Sequence, residues 1–239
     1  RAFEANELSK IDLKRPILDL GCGYGEFAGV FYDASVEVGV DLSGRDLQIA
    51  AQNKKYSELV LADARRLPFP DSSFNSILSV SVIEHIKNTR KILSEVNRVL
   101  TSGGKFVFTT PDKDFTSFLF YPLLFQSLKL NFLAEYYKKA VNNIFKHDSL
   151  YTEPQWRKML KGTGFEVERI EKIIPRKAVM LWDFLLVFAL PSQILKLIFG
   201  KRIVIKNELR IKLVYQLLTN VVKKDSGTRS NFLIIARKL

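Results

Sequence analysis

The chain has 239 residues, 47% hydrophobic and 26% charged, with a net charge of +12. That balance belongs to a globular protein and excludes disorder as its main state. One cysteine, Cys22, excludes an internal disulfide and a cysteine zinc cluster, and fits a reducing compartment.

Residues 1–15 begin at Arg1, as in a trimmed or processed chain, carry no signal-peptide pattern, and read as a short helix or arm. Behind Pro16, the apolar run Ile17-Leu18-Asp19-Leu20 ends in glycines and reads as a buried parallel strand. A helix opens at Gly25, and a second strand over 36–40 ends at Asp41. Residues 44–53 suit a helix, and a third strand over 58–62 precedes Asp63. Pro68, Pro70 and Asp71 mark a turn before a fourth strand over 74–82. Between Asn88 and Leu100, apolar residues recur at helical spacing; Gly103-Gly104 are expected to stop that helix before a fifth strand over 105–109.

This alternation predicts an α/β fold: a Rossmann-like, doubly wound sheet of about seven strands, mostly parallel with an antiparallel last strand. The expected divisions are an arm over 1–15, a cofactor-binding core over 16–111 and a helical cap insertion over 112–150. The rest of the core covers 151–174 and 230–239, and a basic, apolar helical insertion covers 175–229. Thr152 is expected to cap a helix reaching Leu160, with strands over 165–174 and 231–237.

The first strand feeds Gly21-x-Gly23-x-Gly25 and then a helix, a turn that lets backbone approach a ligand closely. Any tight strand–helix turn favours such glycines, so the spacing alone decides little. Asp41 lies 20 residues beyond Gly21 at the end of the second strand, where a carboxylate can accept from both hydroxyls of a ribose.

Three segments, Ile17-Leu-Asp-Leu-Gly-Cys-Gly-x-Gly25, Val38-Gly-Val-Asp-Leu-Ser43 and Asp63-Ala-x-x-Leu-Pro-Phe-Pro70, resemble successive motifs of class I S-adenosylmethionine-dependent methyltransferases. The chain is most similar to the small-molecule branch that includes ubiquinone/menaquinone-biosynthesis enzymes, well over 16–111 and more loosely over 147–174. The resemblance implies S-adenosylmethionine as cofactor. It places Asp19 and Gly21 at the methionyl amino group, with Cys22 packed between Gly21 and Gly23, and Gly23 and Gly25 making room for the cofactor. Asp41 would bind the ribose, Leu42 pack on the adenine, and Asp63 accept from the adenine amino group beside the Ala64 N–H. Ser79 would line the methionine end through its backbone.

Methyl transfer needs positioning more than a catalytic cluster. Glu84-His85 follows the fourth strand on the acceptor side, and His85 reads either as a general base or as a structural hydrogen-bonding residue. Some relatives bind a divalent metal through Glu-x-x-Glu-His here; Ser81 replaces the first acid, so no metal is expected. His147 and Tyr151 resemble the segment that closes over the acceptor, with capping of the insertion as the other reading for His147.

Residues 175–239 hold 13 Lys/Arg against 3 Asp/Glu, whereas 1–174 hold 24 against 22. Within 181–199, Asp183, Pro191 and Lys196 interrupt an apolar run, which suits two short helices bent at Pro191 better than a membrane span. Residues 213–224 suit a basic amphipathic helix. These features point to a small, lipidic or lipid-linked glycan acceptor, with an anionic membrane surface as partner through 175–229; packing on the protein's own body, or a dimer interface built from the same helices, is the other reading. The expected setting is the cytoplasm, at the inner membrane face.

The basic charge invites an RNA methyltransferase as the alternative, but residues 79–85 read Ser-Val-Ser-Val-Ile-Glu-His and not an Asn-Pro-Pro-Tyr-type motif, so a nucleic acid partner is not expected. A cofactor-binding, non-catalytic module is the third reading.

Overall fold

The computed structural model describes residues 2–32, 35–186 and 227–239. They divide into two compact units, the first made of 1–113, 146–173 and 231–239, the second of 114–145 and 174–230.

The first unit is built on the seven-stranded sheet, ordered β3-β2-β1-β4-β5-β7-β6. Its strands are β1 Ile17–Leu20, β2 Val36–Asp41, β3 Tyr56–Leu61, β4 Phe74–Val80, β5 Leu100–Thr110, β6 Phe165–Pro175 and β7 Arg229–Lys238. β1 pairs in parallel with β2 and β4, in register Leu18↔Val38 and Leu18↔Ile77. β7 runs antiparallel to β5, with Val107 opposite Ile235. The Rossmann-like sheet with an antiparallel final strand is therefore the fold. Every residue of β1 is buried, as a continuous apolar run between two helical layers requires.

Helices α1 Ala2–Leu8, α2 Glu26–Phe31, α3 Gly44–Gln52 and α4 Thr89–Val99 belong to this unit. α4 buries Ile92, Leu93, Val96 and Val99, the face that its spacing specified. It stops at Val99 and not at the glycine pair, because Leu100 is already extended and pairs with Phe74. Gly103, at φ +73°, and Gly104 instead carry the irregular stretch before Lys105 pairs with Ser76. A β-carbon on Gly104 would meet the Thr101 carbonyl oxygen at 2.9 Å.

α1 is not a loose arm. Leu8 is 1% and Glu4 3% exposed, and the Glu4 carboxylate accepts from the Ser81 and Thr109 hydroxyls at 2.7 Å each. The core centres on Phe106, Phe108, Phe165, Phe232 and Trp156, the Trp156 ring lying edge-on to Phe108. Trp156 comes from α7 Glu153–Lys161, which opens with a capping box between Thr152 and Gln155. Burial of each such ring contributes roughly 1.5–3 kcal/mol.

The described part of the second unit is helical: a 3-10 turn at Phe115–Phe118, α5 Phe120–Ser127, α6 Asn131–Ile144 and residues 176–186. Asp183, fully buried, holds it together. Its carboxylate accepts from the Tyr121 N–H at 3.0 Å and the Tyr137 hydroxyl at 2.6 Å. The charge that interrupts the apolar run in the sequence thus satisfies the first turn of α5. The bend at Pro191 and the basic helix at 213–224 lie outside the described residues. Among the described residues, no helix is long and apolar enough to cross a membrane.

Candidate functional site

Two cavities of the first unit meet at Gly21 and Val82, which line both. The smaller, about 130 Å³, is lined by Asp19, Cys22, Gly23, Tyr24, Val80 and Ser81 among others. The larger, about 400 Å³, takes in Asp41, Leu42, Asp63, Ala64, Arg65 and His85. They open beyond the carboxyl ends of the parallel strands, where ligands of such sheets sit.

The glycine turn explains why the cavities meet here. Gly21 has φ +81°, and a β-carbon on it would stand 2.4 Å from Val82 Cγ1. Both the Gly21 and Cys22 N–H groups donate to the Val40 carbonyl, tying the turn to the end of β2. Asp41 completes the tie: Oδ2 accepts the Gly23 N–H at 2.8 Å, and Oδ1 accepts the Ser43 N–H at 2.9 Å. Each oxygen keeps a further acceptor position for hydroxyl donors from the cavity.

Asp63 is gripped by Arg65. Its Oδ1 accepts from the Arg65 N–H at 2.8 Å and Nε at 3.0 Å, and its Oδ2 accepts from Nη2 at 2.6 Å. That guanidinium holds the Asp63 carboxyl below the usual range. Asp19, 4% exposed, accepts the Tyr56 hydroxyl at 2.6 Å. Burial, with the Asp19 charge, pushes the Tyr56 phenol far up, so it remains a donor. Burial likewise raises the Cys22 thiol, which removes thiolate chemistry and leaves it a packing residue. Leu42 is 71% exposed at the rim of the larger cavity, and Ala64 lies inside it.

Three expected positions line neither cavity. Ser79 lies inside the sheet, fully buried, with its hydroxyl donating to the Leu20 carbonyl at 2.9 Å; Val80, Ser81 and Val82 line the cavity in its place. Glu84, expected at an acceptor pocket, is 1% exposed and lines neither cavity. Its carbonyl accepts from the Asp148 and Ser149 N–H groups, which pins the 146–152 segment to the turn Ile83–His85. Tyr151 also lines neither; its ring lies edge-on to Trp156, and its hydroxyl meets Thr89 Oγ1 at 3.2 Å.

His85 and His147 do come together, stacked with ring centroids 5.8 Å apart. His85 Nδ1 lies 3.2 Å from the Lys146 carbonyl oxygen, which can only accept, so this bond takes its proton from Nδ1. Burial, then the charge of His85, lower His147 to about 4, so it is neutral at pH 7. His85 lines the cavity of Asp41 and Asp63, not that of Asp19. Among the described residues, no group of three His, Cys, Asp or Glu side chains is placed to hold a metal ion.

The sequence reading missed Tyr56, Arg65 and Glu4, and took Ser81 only as the residue in place of a metal-binding acid. Arg65, two residues past Asp63, was the local signal; Tyr56 and Glu4 bond Asp19 and Ser81 from far along the chain.

Comparison with known proteins agrees with this geometry. Residues 18–108 match the family model described as "Methyltransferase domain". An uncharacterized protein of Methanocaldococcus jannaschii is 29% identical over 72% of this chain and 84% of its own length. A demethylmenaquinone methyltransferase of Symbiobacterium thermophilum is 34% identical over 43% of this chain and 45% of its own. Apart from the first relative, the chain spans less than half the length of the curated proteins it matches. In structure, an S-adenosylmethionine-dependent methyltransferase of Thermotoga maritima superposes with a TM-score of 0.61 at 18% identity, covering 100% of this chain and 89% of that one. The matched segment makes residues 18–108 a methyltransferase domain, carried on the Rossmann-like sheet that the solved S-adenosylmethionine-dependent methyltransferase shares.

Proposed function

We propose that the chain transfers the methyl group of S-adenosylmethionine to a small-molecule or lipidic acceptor. The observation that carries this reading is the convergence of Asp19, Asp41 and Asp63 on two cavities joined at Gly21 and Val82. The cofactor supplies a methyl group on a sulfonium, already activated for in-line displacement.

The residues present suit it. The Gly21 turn offers backbone with no side chain in the way, Asp41 suits vicinal hydroxyls, and Asp63 suits an amino donor at the far end of the larger cavity. Asp19, fixed by the Tyr56 hydroxyl, suits an ammonium group in the smaller cavity. Catalysis then rests on holding the acceptor in line, and an acceptor proton, where there is one, leaves to water. His85 shares the cavity of Asp41 and Asp63, so we assign it to positioning the nucleoside half and not to proton removal. His147, neutral and stacked on His85, supports that ring.

The acceptor class draws support from the menaquinone-type relative and from the aromatic, basic composition of the second unit. The test is incubation with methyl-labelled S-adenosylmethionine and, separately, quinone, prenyl and phospholipid extracts and RNA. Label is expected in an organic-soluble product. Label confined to RNA, or no transfer above blank, would overturn the proposal.

A further inference from the structure

We propose that the turn joining α5 to α6 is a membrane-contact surface that seats on an anionic phospholipid bilayer. It concerns the second unit alone and holds whatever acceptor the first unit takes.

The turn is unusual for a surface in water. Residues 126–133, Gln-Ser-Leu-Lys-Leu-Asn-Phe-Leu, are all exposed, and four of the eight are large and apolar. Phe132 is 80% exposed and Leu128 59%. A contiguous apolar patch of this kind marks a contact surface, whereas single exposed apolar residues do not. Around it the charge is one-sided. Lys129 sits in the turn, and the only carboxylate of α5 and α6, Glu135, is paired with Lys138 at 2.8 Å.

Polarity also changes in order along α6. Phe132, Tyr136 and Lys139 follow at helical spacing on one exposed face, an aromatic ring first, then a phenol, then an ammonium. A bilayer interface presents the matching series: acyl chain, headgroup boundary, phosphate. Residues 120–144 carry three lysines, Lys129, Lys138 and Lys139, against Glu135 alone, which favours an anionic lipid surface over a neutral apolar partner. No described helix is long enough to span, so the contact is interfacial.

Flotation of the full chain with phosphatidylglycerol/phosphatidylcholine vesicles, against phosphatidylcholine alone, tests this. Binding is expected to the anionic vesicles, to weaken with salt, and to fall roughly ten-fold or more in Leu128→Glu/Phe132→Glu. These positions are exposed, so circular dichroism and S-adenosylmethionine affinity are expected to stay unchanged, which separates failure here from failure of the methyltransferase reading. In Phe132→Trp, the added emission is expected to shift to the blue and to be quenched by brominated acyl chains. No flotation, or flotation indifferent to the glutamates, would overturn the proposal. So would a concentration-dependent dimer abolished by the same variant without vesicle binding.

Discussion

A β-carbon added to Gly21 would stand 2.4 Å from Val82 Cγ1, so the turn after β1 and the chain leaving β4 meet with no room for a side chain between them. Gly21→Ala carries two penalties, this overlap and the φ of +81°. Together they are expected to cost about 1–3 kcal/mol in urea unfolding and to weaken cofactor binding. Adding Val82→Ala removes the two methyls but leaves the Val82 Cβ at 2.9 Å and the backbone strain, so partial rescue is expected. Full rescue would show that φ at this position is indifferent.

Glu4 accepts two hydroxyls from residues far along the chain, Ser81 beside the smaller cavity and the fully buried Thr109. Glu4→Ala strands both donors and is expected to destabilise the protein by about 1–3 kcal/mol. Ser81→Ala in that background should then cost little, because the pair acts through one contact. Additive losses in the double-mutant cycle would contradict the coupling.

Much of the donor side was legible because it is written locally. The short run Ile17-Leu18-Asp19-Leu20, apolar at three of four positions, reads as a buried strand, and glycines with carboxylates at strand ends lie within a few residues of the elements that place them. What escaped depends on pairing across the chain. Leu100 reads as the last residue of a helix until Phe74 is known to lie opposite it. Glu4 belongs to no motif in the sequence, and its partners Ser81 and Thr109 lie far along the chain. Glu84 and Tyr151 were assigned by position along the chain, and packing turned both inward or against Trp156.

His147 gives a pH signature. Its folded value of about 4 lies below the ordinary 6.5, so between the two the unfolded chain binds the extra proton. Its contribution to stability is therefore lost progressively as pH falls from about 6.5 to about 4. Urea midpoints are expected to fall more for the wild type than for His147→Gln between pH 7 and pH 4.5. Equal falls would show that His147 titrates normally.

Arg65 keeps the Asp63 carboxylate ionised below its usual range. In Arg65→Ala, the carboxyl resonance of Asp63 is expected to titrate higher, toward the ordinary value near ~4. Nucleoside affinity should then begin to fall at a higher pH than in the wild type, as pH is lowered. An unmoved titration midpoint would mean that the ion pair does not set the state of Asp63.

The donor site stands or falls on Asp41, whose two oxygens hold Gly23 and Ser43 while facing the larger cavity. The direct measurement is calorimetric titration of the wild type and of Asp41→Ala with S-adenosylmethionine. One molecule is expected to bind per chain, with affinity reduced roughly ten- to hundred-fold in the variant. Binding that is absent in the wild type, or unchanged in Asp41→Ala, would contradict the assignment.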